Sequence, residues 1–217
     1  MRLFHADALS FNYAQLGIID AIVSDPPYNI NIDTNYEPMQ RINNQREMTK
    51  AKCKNWERIE GENKIDYSFL FELGVKNYCL FGADYYLEYI PFEGSFSVWD
   101  KRIEDNFDKM FGSCYEMIWF YPKRKRDFIR YRYAGVYGSR NERYTKRIHP
   151  TQKPLRVMEM CLERMKLKPG SVVLDPFMGS GSTGDACMRM GLDFIGIEIN
   201  KNYFEVAKKR LTPGFLG

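Results

Sequence analysis

Four consecutive residues, Asp25-Pro26-Pro27-Tyr28, have the types and the spacing to act on an amine. They follow Asp20-Ala-Ile-Val-Ser24, which reads as a buried strand. The double proline must end that strand, because neither ring nitrogen can donate a ladder hydrogen bond. At the carboxyl end of a parallel strand, such a turn faces the crevice where α/β sheets bind ligands. The prolines fix the backbone so that the Asp25 carboxylate and the Pro26 carbonyl can point into one space. Two convergent acceptors suit an exocyclic amine, whose two N–H groups can each be held. Drawing both protons out of the ring plane localises the nitrogen lone pair toward an electrophile. Tyr28 offers a flat face for a base extruded from a duplex. Taken alone, a strand end with a proline turn and a surface tyrosine explains the tetrapeptide equally well.

A second run, Val172-Val-Leu-Asp175-Pro-Phe177-Met-Gly179-Ser180-Gly181-Ser182-Thr183-Gly184, has the order strand, glycine-rich loop, helix. Glycines let backbone approach a ligand closely, and a helix N-terminus offers unpaired N–H groups. Glu198 closes the next strand, where an acid suits the two hydroxyls of a ribose, so a ribose-bearing cofactor is expected. The run contains neither G-x-G-x-x-G nor G-K-[ST], which argues against a dinucleotide fingerprint and a triphosphate P-loop.

Charge supplies the third feature. The formal net charge is +4. Residues 120–153 hold 11 Lys or Arg against Asp127 and Glu142, so 11 − 2 gives +9 and the remainder of the chain sums to −5. Lys123, Arg124, Lys125, Arg126, Arg130, Arg132, Arg140 and Arg143 are interleaved with tyrosines. That pattern suits a phosphate backbone with unpaired bases, a solvated charged face being the plain alternative.

Positioning these groups requires alternating strands and helices. Strands are expected at 3–5, 20–24, 78–81, 95–99, 116–121, 172–174 and 194–197. Helices are expected at 8–17, 65–75, 155–165, 185–190 and 203–211, with a glycine-rich loop over 175–184. Strands separated by helices imply a mostly parallel sheet covered on both faces, an α/β fold. Residues 29–64 are polar and aperiodic and read as a long loop or mobile lid inserted into one domain. Residues 120–150 form the basic contact segment.

No apolar run approaches membrane-spanning length, and the N-terminal MRLFHADALSF lacks a signal-peptide core, so a cytoplasmic protein without membrane contact is expected. Five dispersed cysteines form neither a disulfide framework nor a metal knuckle, and no metal is expected. No Pro-Cys dipeptide supports a cysteine nucleophile. His5 and His149 are read as structural, and Trp56, Trp99 and Trp119 as core or strand residues.

Three ordered blocks, Asp25-Pro-Pro-Tyr28, His149-Pro-Thr-Gln-Lys-Pro154 and Leu174-Asp-Pro-Phe-Met-Gly-Ser-Gly-Ser-Thr183, resemble the signatures of the DNA amino-methyltransferases. The catalytic block precedes the cofactor block, which is similar to the circularly permuted β-class of N6-adenine and N4-cytosine enzymes. The resemblance implies a single domain over 1–217 with the Rossmann-like fold of S-adenosylmethionine-dependent methyltransferases. It implies S-adenosyl-L-methionine as cofactor, held by Asp7, Ala8, Asp25, Lys153, Asp175, Phe177, Gly179, Ser180, Gly181, Ser182, Thr183 and Glu198. Within that set Asp7 would lie near the adenine, Glu198 on the ribose, and Lys153 at the methionine end. Asp25, Pro26, Pro27 and Tyr28 become the target-amine block, and aspartate rather than serine at its head leans toward adenine.

The implied reaction is direct transfer to the N6 amine of a flipped-out adenine in double-stranded DNA, in the manner of restriction-modification enzymes. N4-cytosine methylation, single-stranded DNA or RNA as substrate, and a catalytically silent nucleic-acid-binding subunit stay open. So does a homodimer. In the unpermuted fold the last helix and the first strand would be consecutive, so permutation also predicts that the termini lie close together.

Overall fold

The computed structural model describes residues 1–28, 65–91, 93–102, 113–132 and 152–212. The buried tetrad Ala21-Ile-Val-Ser24 forms strand β2 near the middle of a sheet of eight strands among the described residues. The strands are β1 (Arg2–His5), β2 (Ala21–Ser24), β3 (Tyr78–Phe81), β4 (Ser95–Asp100), β5 (Tyr115–Tyr121), β6 (Phe128–Arg130), β7 (Val172–Asp175) and β8 (Asp193–Glu198). Their order across the sheet is β1-β8-β7-β2-β3-β5-β4-β6. Every pairing is parallel except those of β5, which runs antiparallel to both β3 and β4.

The α-helices among the described residues are α1 (Ser68–Glu72), α2 (Leu155–Met165), α3 (Ser182–Arg189) and α4 (Lys201–Arg210). Helix α2 buries Val157, Met158, Cys161, Leu162 and Met165, one stripe at helical spacing. Together with Ala186 and Cys187 of α3 and Ala207 of α4, that stripe covers Val23, Cys79, Phe81, Ile118, Phe120 and Val173 on one face of the sheet. The other face carries Ile22, Leu80, Trp119, Leu174, Ile195 and Ile197 against Leu16, Tyr67, Leu70 and Tyr86. Near-continuous apolar strands are what a sheet buried on both faces requires. The second cover is thin, consisting of α1 and single-turn 3-10 helices among the described residues.

Helix α4 is capped by the Asn200 side chain, which accepts from the amides of Asn202 and Tyr203. It packs against both β8 and β1. Strand β1 lies parallel to β8, with Arg2 opposite Ile195 and His5 opposite Glu198. The last strand, the last helix and the first strand thus form the βαβ unit of an unpermuted chain, as expected from the block order.

Several boundaries differ from the sequence reading. Residues 8–17 hold only a 3-10 turn at Tyr13–Leu16, because the Asn12 side chain accepts from Ala14 N–H and Gly17, at φ 75°, breaks the backbone. Helix α3 begins at Ser182, which shortens the glycine loop. Strand β6 lies inside the basic segment, where no strand was expected; its three residues are too few for a visible alternation. The 29–64 segment lies outside the described residues. Trp99 and Trp119 are buried strand residues, 1% and 2% exposed. No described helix is long and apolar enough to cross a membrane.

Candidate active site

Ser24 ends β2, and Asp25-Pro-Pro-Tyr28 follows at the carboxyl edge of the sheet. The Tyr67 hydroxyl donates to the Pro27 carbonyl and pins the turn. The Tyr28 hydroxyl donates to Asp25 Oδ1 and also lies 2.8 Å from Glu116 Oε1. Its ring lies against the backbone of Gly82, in the turn after β3, and stacks on Tyr85 with centroids 5.1 Å apart and planes at 9°. Gly82 has φ 60°, and a Cβ there would sit 2.2 Å from Tyr28 Cε1. We therefore expect Gly82→Ala to displace Tyr28, with roughly a 10²-fold loss of turnover for a misplacement near 1 Å. Turnover and urea stability measured together check this, and unchanged turnover would refute the assigned contact.

Lys153 comes to the same place from the segment before α2. Its ammonium is 2.6 Å from Asp25 Oδ2, 2.9 Å from Glu116 Oε1 and 3.3 Å from the Tyr28 hydroxyl. Lys101, just beyond β4, reaches Glu116 Oε2 at 2.7 Å. The side chains of Lys153 and Glu116 are each 10% exposed, and that of Asp25 is 19% exposed. Burial raises the Asp25 pKa, Lys153 opposes the rise, and Glu116 adds to it. Burial would raise Glu116 as well, but Lys153 and Lys101 hold its carboxyl down at about 2. For Lys153, burial works against the charge, yet Asp25 and Glu116 together raise its pKa. The structure thus brings Lys153 to the Asp25-Pro-Pro-Tyr28 block, with its polar contacts directed to Asp25, Glu116 and Tyr28.

The glycine loop lies beside this block. Asp175, at the end of β7, accepts from Ser24 Oγ at 2.7 Å, Thr183 Oγ1 at 2.6 Å and Phe177 N–H at 3.1 Å. One buried carboxylate therefore fastens the end of β2 to the first turn of α3. The φ of 78° at Gly181 admits glycine readily, and the first ladder bond of α3 is Asp185 N–H to Gly181 C=O. The amides of Ser182, Thr183 and Gly184 precede that ladder, as at any helix start. The hydroxyls of Ser182 and Thr183 turn inward, Ser182 receiving Arg210 at 3.1 Å; Arg210 also reaches the Ser180 carbonyl.

Glu198 closes β8, 8% exposed, accepting from Gly179 N–H at 2.9 Å and Asn200 N–H at 2.8 Å. Burial raises its pKa, against the pull of those amides. Asp7 and Ala8 follow β1 beside it, with the Ala6 amide bonded to the Glu198 carbonyl. Asp7 Oδ1 accepts from Leu9 N–H, and the Ala8 carbonyl accepts from the Tyr13 hydroxyl. Phe177 meets Tyr67 and Phe69 edge-on.

Asp175 is buried, and that burial pushes its pKa up to about 6 despite three donors. A raised pKa means the folded state binds the proton more tightly than the unfolded chain. The contribution to stability is then fully present below about pH 4 and is lost as pH rises through about 6. Between those limits each step of one in pH changes it by roughly 1.4 kcal/mol. We expect Asp175→Asn to remove this pH dependence; urea unfolding of both proteins between pH 4 and 7 measures it. Parallel curves would show that Asp175 does not titrate there.

The basic residues divide into two groups. Strand β5 is antiparallel, so Tyr115 and Glu116 lie at the Asp25 edge while Tyr121 pairs with Tyr78 at the amino edge. At about 3.3 Å per residue, the five steps from Glu116 to Tyr121 span about 16 Å. Lys123, Arg124, Lys125 and Arg126 continue from there, away from Asp25. The Arg124 amide donates to Ser95 Oγ at the start of β4, its guanidinium donates to the Met165 carbonyl, and Lys123 pairs with Glu93. The direction of β5 therefore sets Lys123–Arg126 at the edge of the sheet opposite Asp25. Strand β6 returns to the Asp25 edge, where Arg130 is opposite Asp100 and Arg132 is exposed. Arg140 and Arg143 lie outside the described residues.

Glu116, Lys101, Tyr85 and Tyr67 were not singled out from sequence. Glu116 offered one signal, a carboxylate opening an otherwise aromatic and aliphatic strand.

Fold and site together define an α/β protein that sets a glycine loop beside the Asp25 carboxylate at the carboxyl edge of the sheet. The family profile N6_N4_Mtase, described as DNA methylase, matches residues 42–209, and the chain belongs to that family. The matched range holds Lys101, Glu116, Lys153, the glycine loop and Glu198, and begins after Tyr28.

Among curated relatives, the Type II methyltransferase M2.LlaDCHI of Lactococcus lactis subsp. cremoris is 44% identical over 85 residues, covering 38% of this chain and 30% of that protein. M2.DpnII of Streptococcus pneumoniae is 52% identical over 66 residues, covering 29% and 23%. M.HpaI of Haemophilus parainfluenzae is 49% identical over 72 residues, covering 32% and 22%. The alignments thus span less than a third of each relative. The crystal structure of the M1.HpyAVI–SAM complex superposes with a TM-score of 0.57 at 26% identity, covering 97% of this chain and 98% of that one. PvuII DNA methyltransferase (cytosine-N4-specific) gives 0.55 at 15% identity over 99% and 87%, a likeness of fold alone.

Proposed function

We propose that this protein transfers a methyl group from S-adenosylmethionine to the exocyclic N6 amine of a flipped-out adenine in DNA. The observation that carries the reading is the Ser24–Asp175–Thr183 bridge, which locks the target-amine block to the glycine loop. Asp25 accepts a proton of the amine, and Tyr28 meets the base face. Glu198 supports the ribose, and the N-terminus of α3 with its glycine loop receives the polar remainder of the cofactor. When bound, the cofactor supplies an electrophilic methyl group on a sulfonium. The chain's own part is to orient the amine, localise its lone pair and accept the departing proton near Asp25. No covalent enzyme intermediate is involved.

Arg130 and Arg132, which follow β6 toward the Asp25 edge, are read as contacts to a phosphate backbone, so binding weakens with salt. The test is nucleoside analysis of duplex DNA, single-stranded DNA and RNA after incubation with methyl-labelled cofactor. N6-methyladenine in duplex DNA is expected. N4-methylcytosine would overturn the base assignment, and label confined to RNA would overturn the substrate.

A further inference from the structure

Two carboxylates and two ammonium groups from four chain segments meet at the candidate site, and the proposed reaction uses only Asp25 directly. Lys153 Nζ bridges Asp25 Oδ2 at 2.6 Å and Glu116 Oε1 at 2.9 Å. The Tyr28 hydroxyl bridges the same two residues from its own position, donating to Asp25 Oδ1 with Glu116 Oε1 at 2.8 Å. Asp25, Lys153, Glu116 and Tyr28 therefore close a ring. Lys101 binds the outer oxygen of Glu116 at 2.7 Å and makes the four charges sum to zero.

Taking charges out of water is costly, and a cluster so little exposed is retained only if its geometry is well satisfied. We infer that Glu116 is the positioning residue of this site: it holds Lys153 and the Tyr28 hydroxyl against Asp25, and its charge keeps the cluster neutral where a cationic cofactor must approach. The inference rests on the methyltransferase reading, because the approaching cation is the sulfonium.

A purely structural Glu116 would affect charged and neutral cofactor forms alike. S-Adenosylmethionine carries the sulfonium charge, and its demethylated product, S-adenosylhomocysteine, does not. Removing one negative charge by Glu116→Gln leaves the cluster at +1. Through a partly buried medium this shifts the ratio of the two affinities about tenfold toward the homocysteine form. Lys101→Met, at a side chain 19% exposed, leaves the cluster at −1 and shifts the ratio the opposite way. Glu116→Asp keeps the charge but shortens the reach, so the ratio holds while kcat falls.

The pH profile gives a second readout. Lys153, Glu116 and Tyr28 face Asp25 directly, with Tyr67, Tyr86 and Asp175 farther off. With Glu116 neutralised, Lys153 acts on Asp25 alone, and the acid limb of kcat/KM moves to lower pH.

Calorimetric titration of the purified wild type and the three variants with both cofactor forms, at fixed salt, decides the matter. Opposite shifts for Glu116→Gln and Lys101→Met support the inference. Equal loss of both ligands in Glu116→Gln, or ratios unchanged in both charge variants, would overturn it. Should Glu116→Gln fail to fold, an unmoved ratio in Lys101→Met is enough to overturn it. If the wild type binds neither form, the methyltransferase reading falls and this inference with it. If the wild type binds and methylates while the ratios stay fixed, this inference alone falls.

Discussion

Asp25→Ala lowers methyl transfer by at least about 10³-fold at saturating cofactor, the scale of removing both a preorganised polar contact and a proton acceptor. On the proposed reading the Asp25 carboxylate holds the amine, and its neighbours Lys153 and Glu116 do not replace it. Lys153 presents protons only, and Glu116 is already committed to Lys153 and Lys101. The fold should survive, since Lys153 retains Glu116 as a counter-ion and Tyr28 retains a partner at 2.8 Å. S-Adenosylhomocysteine binding is therefore expected to stay within about threefold, because the glycine loop and Glu198 remain intact. Single-turnover transfer measured beside that titration separates chemistry from folding. A variant keeping more than about a tenth of wild-type turnover would end the role assigned to Asp25.

Lys153→Met should cost about 3–5 kcal/mol of folding stability, the usual penalty for stranding buried charge. Two carboxylates are then left with Lys101 alone, and Lys101 touches only the outer oxygen of Glu116. Asp25 is already raised by burial with Lys153 opposing, so removing the lysine raises it further. The sign follows from linkage. A group whose folded pKa is raised favours folding at low pH and loses that advantage as pH climbs through the folded value. The deficit of the variant should therefore narrow from the alkaline to the acid end of the protein's stable pH range, as Asp25 takes up a proton. Urea unfolding at both ends of that range measures it, and an equal deficit at both would show that Lys153 is not compensating a carboxylate.

Contiguous chemistry was legible in the sequence. Asp25-Pro-Pro-Tyr28 and the glycine run each place several functional atoms within one turn, so residue type and spacing describe the geometry directly. The parallel sheet followed from apolar strands alternating with helical stripes, and the βαβ closure of β8, α4 and β1 followed from block order. The environment of Asp25 was not legible. Glu116, Lys101 and Tyr85 are single residues at the ends of ordinary elements, brought together by tertiary pairing.

Strand direction was hidden for a related reason. Local alternation is the same for parallel and antiparallel neighbours, so nothing in Tyr115–Tyr121 announced that it would carry Lys123–Arg126 to the far edge. The ion pairs of Lys153 with Asp25 and Glu116 join residues distant in the chain, which its own block does not announce. The helix expected at 8–17 failed because Asn12 and Gly17 impose a local turn.

The face of Tyr28 is not bare, since Tyr85 lies on it nearly coplanar. A base arriving there exchanges one ring partner for another rather than covering an empty surface. The stacking gain is then a difference between two similar quantities, and every base has a face to offer. Choice among bases must come from their edges. An edge that presents an amine to Asp25 is rewarded, and one that presents a carbonyl meets a carboxylate with nothing to share.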